Sequence, residues 1–306
     1  MAVALVVVSG PASPVGPAAD AHGRRYLDPV FARVDVTRDV VYATVPGADG
    51  VPVELKADVY EGRGDTDTAR RAVVLVHGGG FTKGSKADLG QEGVELARRG
   101  YVAVAVDYRL RPAPTMTWCE AAPDGPQCDP RLVAAMTDAA ADVGSAVDAI
   151  RRMSAGMGVD PGAIAVYGYS AGAITALHLA HRTLPGTGGA PAQTPPIQAA
   201  VSLAGAIAPA DVSAGAAPAL MVHGTEDTVV AYSAAVAAQA AASAHGDDAR
   251  LVSIPGAGHG FDAAQAAAAA KAALAFLDEV LQPGAAHAST PAPAAPAGAV
   301  SPGARG

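Results

Sequence analysis

Three residues far apart in the chain have the types that together activate a hydroxyl nucleophile: Ser170, Asp227 and His259. Ser170 stands at the centre of Gly168-Tyr-Ser-Ala-Gly172, between an apolar β-prone run and an alanine-rich run. A sharp strand-to-helix turn strains its central residue and brings both neighbours close to other backbone, which glycine tolerates best. Such a turn also presents the central hydroxyl at the end of a sheet. We therefore predict that Ser170 is a nucleophile.

The base that this serine needs is predicted to be His259. It lies in the glycine-rich stretch Pro255-Gly-Ala-Gly-His-Gly-Phe261, between the last predicted strand and the last predicted helix, where a loop can present the imidazole to Ser170. At strand ends, His77 and His223 are expected to bond nearby backbone instead. The other histidines lie in the terminal segments or on predicted helices: His22, His178, His181, His245 and His287.

The acid that orients this base is predicted to be Asp227, in His223-Gly-Thr-Glu-Asp-Thr-Val229. A strand ending at His223 opens there into a short polar loop that can aim a carboxylate at the imidazole, and the chain order Ser, Asp, His suits a triad of this kind. Glu226 is the first alternative, and Asp211 lies in a preceding loop. A helix N-cap role for Asp227 fits less well, because the next predicted helix begins only at Tyr232.

Donors for a developing oxyanion are expected from His77-Gly-Gly-Gly80-Phe81, which directly follows a buried strand. Three glycines allow the backbone to turn its N–H groups into a cavity, and the residue after the nucleophile supplies another N–H. We assign these donors to Gly79, Gly80 and Ala171. The alternative is a glycine turn with no binding role.

The periodicity of the chain predicts an α/β fold in one domain. A hairpin of two strands precedes an alternation of buried strands and helices, which favours a mostly parallel, doubly wound, eight-stranded sheet flanked by helices. Only Gly205 to Ala217 separates two of the predicted strands, too few residues for a sizeable lid domain. The predicted strands are 34–45, 51–60, 72–77, 101–106, 163–167, 197–203, 219–223 and 250–254, and the predicted helices are 88–99, 132–153, 171–181, 232–244 and 262–281.

The two ends of the chain are predicted to lie outside this domain, which spans residues 26–282. Residues 1–25 contain a short apolar run and Ala19-Asp-Ala21, so we expect a signal or disordered leader, with secretion favoured over a cytoplasmic location. Residues 283–306 are rich in Pro and Ala and are expected to be disordered. The net charge of −8 argues against nucleic acid or an anionic membrane as the main partner, and we expect no stable membrane insertion.

Both cysteines of the chain, Cys119 and Cys128, lie in one Pro/Gly/Asp-rich stretch. An even count within one local loop predicts a disulfide in an oxidising compartment, worth about 2.5–3 kcal/mol by loop-closure entropy. Metal binding would need more ligands than this loop offers, and we predict no metal site.

Taken together, the ordered motifs resemble the α/β-hydrolase superfamily over about residues 30–282. The resemblance is closest to carboxylesterases of the hormone-sensitive-lipase and feruloyl-esterase-like kind, although Tyr169 stands where the former often carry Asp. It implies a serine esterase that works through an acyl-enzyme without a cofactor. The motifs are His77-Gly-Gly-Gly80, Asp107-Tyr-Arg-Leu110, Gly168-Tyr-Ser-Ala-Gly172, His223-Gly-x-x-Asp227 and Gly258-His-Gly-Phe261.

Without a lid, the cleft is expected to be open, with walls from Phe81, Tyr169 and the loop 107–130 that contains Trp118. An open cleft suits short acyl esters or esters attached to polymers. Two other functions remain: a peptidase or other acyl transferase on the same fold, and a binding protein on a hydrolase scaffold, which typically lacks the serine or the histidine. The sequence predicts neither the natural ester nor the oligomeric state.

Overall fold

The computed structural model describes residues 25–47, 50–111, 129–184 and 196–282. The predicted leader, the tail and the segment with Trp118, Cys119 and Cys128 lie outside these residues. Eight strands form one sheet: β1 (Val34–Pro46), β2 (Pro52–Gly62), β3 (Arg70–Val76), β4 (Val102–Val106), β5 (Val159–Tyr169), β6 (Ala199–Leu203), β7 (Ala219–Gly224) and β8 (Ala249–Ile254). Five helices accompany them: α1 (Gly90–Ala97), α2 (Pro130–Met157), α3 (Ala171–His181), α4 (Tyr232–Ala244) and α5 (Ala263–Val280).

The sheet order is β1-β2-β4-β3-β5-β6-β7-β8. β2 is antiparallel to both of its neighbours, and every pair from β4 to β8 is parallel. The carboxyl ends of β3, β5, β7 and β8 therefore meet at one edge of the sheet, which is where loops of open α/β sheets bind ligands. The prediction of a mostly parallel eight-stranded sheet that begins with an antiparallel hairpin is confirmed.

Helices cover both faces of this sheet. Because side chains alternate along a strand, Val73 and Leu75 of β3 face the cluster that includes α1 and α5, whereas Val74 and Val76 face the cluster that includes α2, α3 and α4. β3 is buried along its whole length, as its continuous apolar run predicts. The core thus consists of two layers on either side of a rigid central sheet.

Local sequence explains where the long helix α2 begins and ends. The side chain of Asp129 accepts a hydrogen bond from the Arg131 amide, and Pro130 occupies the first turn, where its missing N–H costs nothing. Gly158 ends the helix in the left-handed region, with φ of 59°. These caps extend α2 beyond the predicted 132–153.

Strand β5 begins earlier than the predicted 163–167, because Asp160 and Pro161 do not interrupt it. β5 begins at Val159, which pairs with Arg70, and the register then shifts so that Ile164 pairs with Ala72. Pro161 and Gly162 lie between these two pairs and are exposed, so the strand continues without needing a ladder bond from the proline nitrogen.

No lid domain lies between β6 and β7, as predicted. That connection contains only a 3₁₀ turn at Pro209–Asp211. Within the described ranges, no helix is long and apolar enough to cross a membrane.

Candidate active site

The turn at Ser170 has the strained backbone that its glycines predict. Ser170 has φ of 52° and ψ of −115° between β5 and α3. A Cβ on Gly168 would lie 2.1 Å from the carbonyl carbon of Gly172, and a Cβ on Gly172 would lie 2.0 Å from the Val76 oxygen. Neither position can hold a side chain, because Gly168 lies against the backbone of Gly172 and Gly172 lies against the end of β3.

The structure brings the three candidate residues together. His259 Nε2 lies 2.9 Å from Ser170 Oγ, and His259 Nδ1 lies 2.8 Å from Asp227 Oδ2. The Asp227 side chain is fully buried, whereas that of His259 is 20% exposed. Because a carboxylate only accepts, the proton of the neutral imidazole belongs on Nδ1, and Nε2 keeps its lone pair for the serine hydroxyl.

Tight packing between two loops sets the contact between Asp227 and His259. A Cβ on Gly224 would lie 2.3 Å from the Ala257 oxygen, so the loop after β7 lies directly against the loop after β8. The Glu226 amide donates to that same oxygen. This packing aims Asp227 at the imidazole and leaves the alternative acid, Glu226, exposed.

A turn after Asp227 holds its carboxylate. Oδ1 accepts hydrogen bonds from the amides of Val229 (2.8 Å) and Val230 (3.0 Å). The buried His223 fixes the same turn, because its Nε2 donates to the Val230 oxygen at 2.8 Å and lies 3.1 Å from Asp227 Oδ2. The expectation that His223 bonds nearby backbone is confirmed, and the contact adds a support for the acid that the sequence did not predict.

The candidate oxyanion loop leaves the sheet beside the nucleophile, because Val76 at the end of β3 pairs with Gly168 on β5. Gly79 and Gly80 have φ of 100° and 61°, so the backbone turns where other residues would be strained. Among the described residues, no atom accepts a hydrogen bond from the amides of Gly79, Gly80 or Ala171. These N–H groups are therefore available to a bound molecule.

Tyr108 holds this loop through contacts with His77 and Gly78, a role that the sequence did not predict. Its hydroxyl lies 3.1 Å from the His77 oxygen and 3.2 Å from the Gly78 oxygen, and its ring stacks on His77 at 4.3 Å. His77 Nδ1 bonds the Gly78 oxygen at 2.7 Å, as expected for a backbone-bonding residue, and burial lowers the His77 pKa. The motif Asp107-Tyr-Arg-Leu110 was the available signal, but only the fold shows what its tyrosine contacts.

Of the three predicted cleft walls, Phe81 is placed differently from the expectation. Phe81, with φ of 64°, is fully buried beside Tyr108, with ring centroids 6.3 Å apart. The Phe81 side chain therefore does not form an exposed wall of the cleft. Tyr169 lies beside His259, with ring centroids 5.7 Å apart, and its hydroxyl donates to the His259 oxygen at 2.7 Å. Trp118 and the cysteine pair lie in the segment that the structure does not describe.

Comparison with known proteins identifies a family and similar solved structures. Residues 57–282 match the dienelactone hydrolase family. Two solved structures of esterase 2 from Thermogutta terrifontis are similar. The form phosphorylated by paraoxon is 26% identical, with a TM-score of 0.61 over 82% of this chain and 95% of that chain. The propionate-bound form is 25% identical, with a TM-score of 0.60 over 83% and 95%.

A curated relative matches only locally. A stretch of 137 residues, 44% of this chain, is 31% identical to the non-reducing polyketide synthase pkbA of Emericella nidulans, and it spans 5% of that protein. The closer resemblance to hormone-sensitive-lipase and feruloyl-esterase-like enzymes stays a prediction. The family and the esterase structures support an ester-hydrolysing serine hydrolase with an α/β-hydrolase fold.

Proposed function

Because the chain belongs to the dienelactone hydrolase family, we propose that it hydrolyses carboxylic esters through an acyl-enzyme on Ser170. The observation that carries this proposal is the position of His259, whose two ring nitrogens lie within 3 Å of Ser170 Oγ and Asp227 Oδ2. One imidazole thus reaches both a hydroxyl and a buried carboxylate, the arrangement needed to make a weak nucleophile reactive.

In the proposed reaction, His259 Nε2 takes the hydroxyl proton as Ser170 Oγ attacks the ester carbonyl. Asp227 holds the Nδ1–H tautomer and stabilises the imidazolium that forms. The amides of Gly79, Gly80 and Ala171 donate to the oxyanion of the tetrahedral intermediate. The imidazolium then protonates the departing alcohol, and a water molecule, deprotonated by His259, releases the acid and restores the serine.

Substrates of this site are proposed to be short acyl esters, free or attached to a larger carrier. Two observations favour this class: the connection between β6 and β7 contributes no lid, and the Thermogutta terrifontis esterase that resembles the chain has been captured with propionate. An open site accepts a large alcohol portion without requiring a long acyl chain.

The test is hydrolysis of p-nitrophenyl esters from acetate to palmitate by the wild type and by Ser170→Ala. We expect the highest kcat/KM on the acetate, propionate and butyrate esters, and a loss of at least about 10³-fold in the variant. Circular dichroism checks that the variant is folded. A preference for palmitate with activation at lipid interfaces would contradict the substrate class. An inactive, folded wild type would favour the peptidase alternative, and then the binding-protein alternative.

A further inference from the structure

The loop that carries His259 has few anchors of its own. Its neighbours on either side are held, since the Ala257 amide donates to the Ile254 oxygen and the Asp262 amide to the Gln265 side chain. Between them, within the described part of the chain, the backbone of residues 258–261 takes part in one hydrogen bond only, at the His259 oxygen.

Steric packing does not replace the missing anchors. A Cβ built on Gly260 would have no heavy atom within 4 Å, and one built on Gly258 would meet its nearest atom, the Glu226 oxygen, at 4.0 Å. Gly260 therefore lies in open space and Gly258 has only a loose contact, and glycine has the widest range of backbone conformations. Phe261 packs against the core, but the backbone around His259 has few close contacts, so its position depends on the few bonds it makes.

Apart from the bonds of the His259 side chain to Ser170 and Asp227, the one anchor of this stretch comes from Tyr169, the residue before Ser170. The Tyr169 hydroxyl donates to the His259 oxygen at 2.7 Å, the usual length of an O–H···O hydrogen bond. Burial, together with the negative charge of Asp227, raises the pKa of this phenol. The hydroxyl therefore keeps its proton, and remains a donor, over the pH range in which an esterase works. Tyr169 itself is fixed, because it ends β5 and pairs with Leu203 of β6.

We infer that Tyr169 is a positioning residue for His259, which ties the histidine loop to the nucleophile turn and so sets the distance from Nε2 to Ser170 Oγ. This inference rests on the proposed function. The expectation that Tyr169 forms a wall of the cleft stays a prediction, and it concerns the partly exposed ring, whereas the hydroxyl contacts the enzyme's own backbone.

The test is the variant Tyr169→Phe, which removes one hydroxyl and keeps the ring. A neutral hydrogen bond of this kind corresponds to about threefold to tenfold in rate, so we expect kcat on p-nitrophenyl acetate to fall by that factor. KM should change by less than about twofold, since the lost atom does not contact the substrate. Amide hydrogen exchange in residues 256–262 should become faster.

Tyr42→Phe is the matched control, because the Tyr42 hydroxyl also donates to a backbone oxygen, that of Asp107 at 2.5 Å. Tyr42→Phe should lower the melting temperature about as much as Tyr169→Phe does, because each loses one hydrogen bond, and it should leave kcat unchanged. Equal losses of kcat in the two variants would make the effect one of stability and overturn the inference. An unchanged kcat in Tyr169→Phe together with a raised KM in Tyr169→Leu would also overturn the inference, because it would identify the ring as a substrate wall. A wild type without esterase activity would instead refute the proposed function.

Discussion

At the scale of single residues, the site depends on one buried carboxylate with well-placed donors. Asp227 accepts from two backbone amides through Oδ1 and from His259 through Oδ2. An asparagine has nearly the same shape, and its oxygen can keep the two amide bonds. Its NH₂ group would then face His259 Nδ1 and favour the tautomer with the proton on Nε2.

Asp227→Asn should therefore fold normally and lose most of its turnover. We expect kcat to fall by about 10⁴-fold, as in other triads whose acid becomes an amide. Steady-state kinetics measure the loss, and Glu226→Gln is the control, because that side chain is exposed and one residue away. If Glu226→Gln loses the activity instead, the acid is misassigned.

How far the sequence predicts such a site depends on whether the signal is local. Ser170, Asp227 and His259 each lie in a short glycine-containing motif at the end of a strand, so their types and context were readable. The burial of Phe81 depends on packing in a core cluster built from distant parts of the chain, and the bonds of Tyr108 and Tyr169 join residues about 30 and 90 positions apart. A local sequence pattern cannot predict contacts between residues so far apart in the chain.

At the scale of elements, the nucleophile turn depends on the close approach of α3 to β3. Gly172→Ala would place a methyl group 2.0 Å from the Val76 oxygen. The helix must then move away from the strand, and we expect the free energy of unfolding to fall by about 1–3 kcal/mol, with activity lost even where the protein still folds. Urea denaturation and ester hydrolysis measure the two effects.

A glycine-to-alanine substitution at a position with free space is the control for Gly172→Ala, and the opposite change in stability is expected. Gly156 lies in α2, and a Cβ there would have no heavy atom within 4 Å. Gly156→Ala should therefore raise the free energy of unfolding by about 0.4–1 kcal/mol and leave activity unchanged, because alanine restricts the unfolded chain and favours the helix. A stable, active Gly172→Ala variant would show that the close contact is not required.

The elements themselves were predictable where periodicity and length agree. α3 and α4 have the predicted bounds, since alanine-rich runs between clear strand ends leave little choice. The extension of β5 to Val159 was not predictable, because it depends on pairing with Arg70 across the sheet. The strand order, with β4 between β2 and β3, depends likewise on long-range pairing.

At the scale of the whole molecule, buried histidines make stability depend on pH. Burial lowers the pKa of His178 to about 3, with a smaller effect from His181, and burial lowers the pKa of His181 and His77 as well. Unfolding restores ordinary values near 6.5, so below that pH the unfolded chain binds protons that the folded chain does not. Stability is therefore lost as pH falls from about 6.5 toward 3.

For His178 alone, linkage predicts a loss of about 2 kcal/mol between pH 7 and pH 5. Urea denaturation at pH 7 and pH 5 gives the free energy of unfolding of the wild type and of His178→Gln. The difference between the two pH values should be about 2 kcal/mol smaller in the variant. His245→Gln is the control, because that side chain is exposed at the end of α4. Identical pH dependence in the wild type and His178→Gln would contradict the assignment of a neutral, buried His178.

The central claim is that His259 activates Ser170, and covalent labelling tests it most directly. The similar Thermogutta terrifontis esterase is phosphorylated by paraoxon, so we would treat this protein with paraoxon and map the adduct by peptide mass spectrometry while following ester hydrolysis. The account predicts one diethylphosphoryl group on Ser170, activity lost in step with labelling, and no label in folded His259→Ala. Loss of activity with Ser170 unmodified, or full activity with Ser170 fully modified, would contradict it.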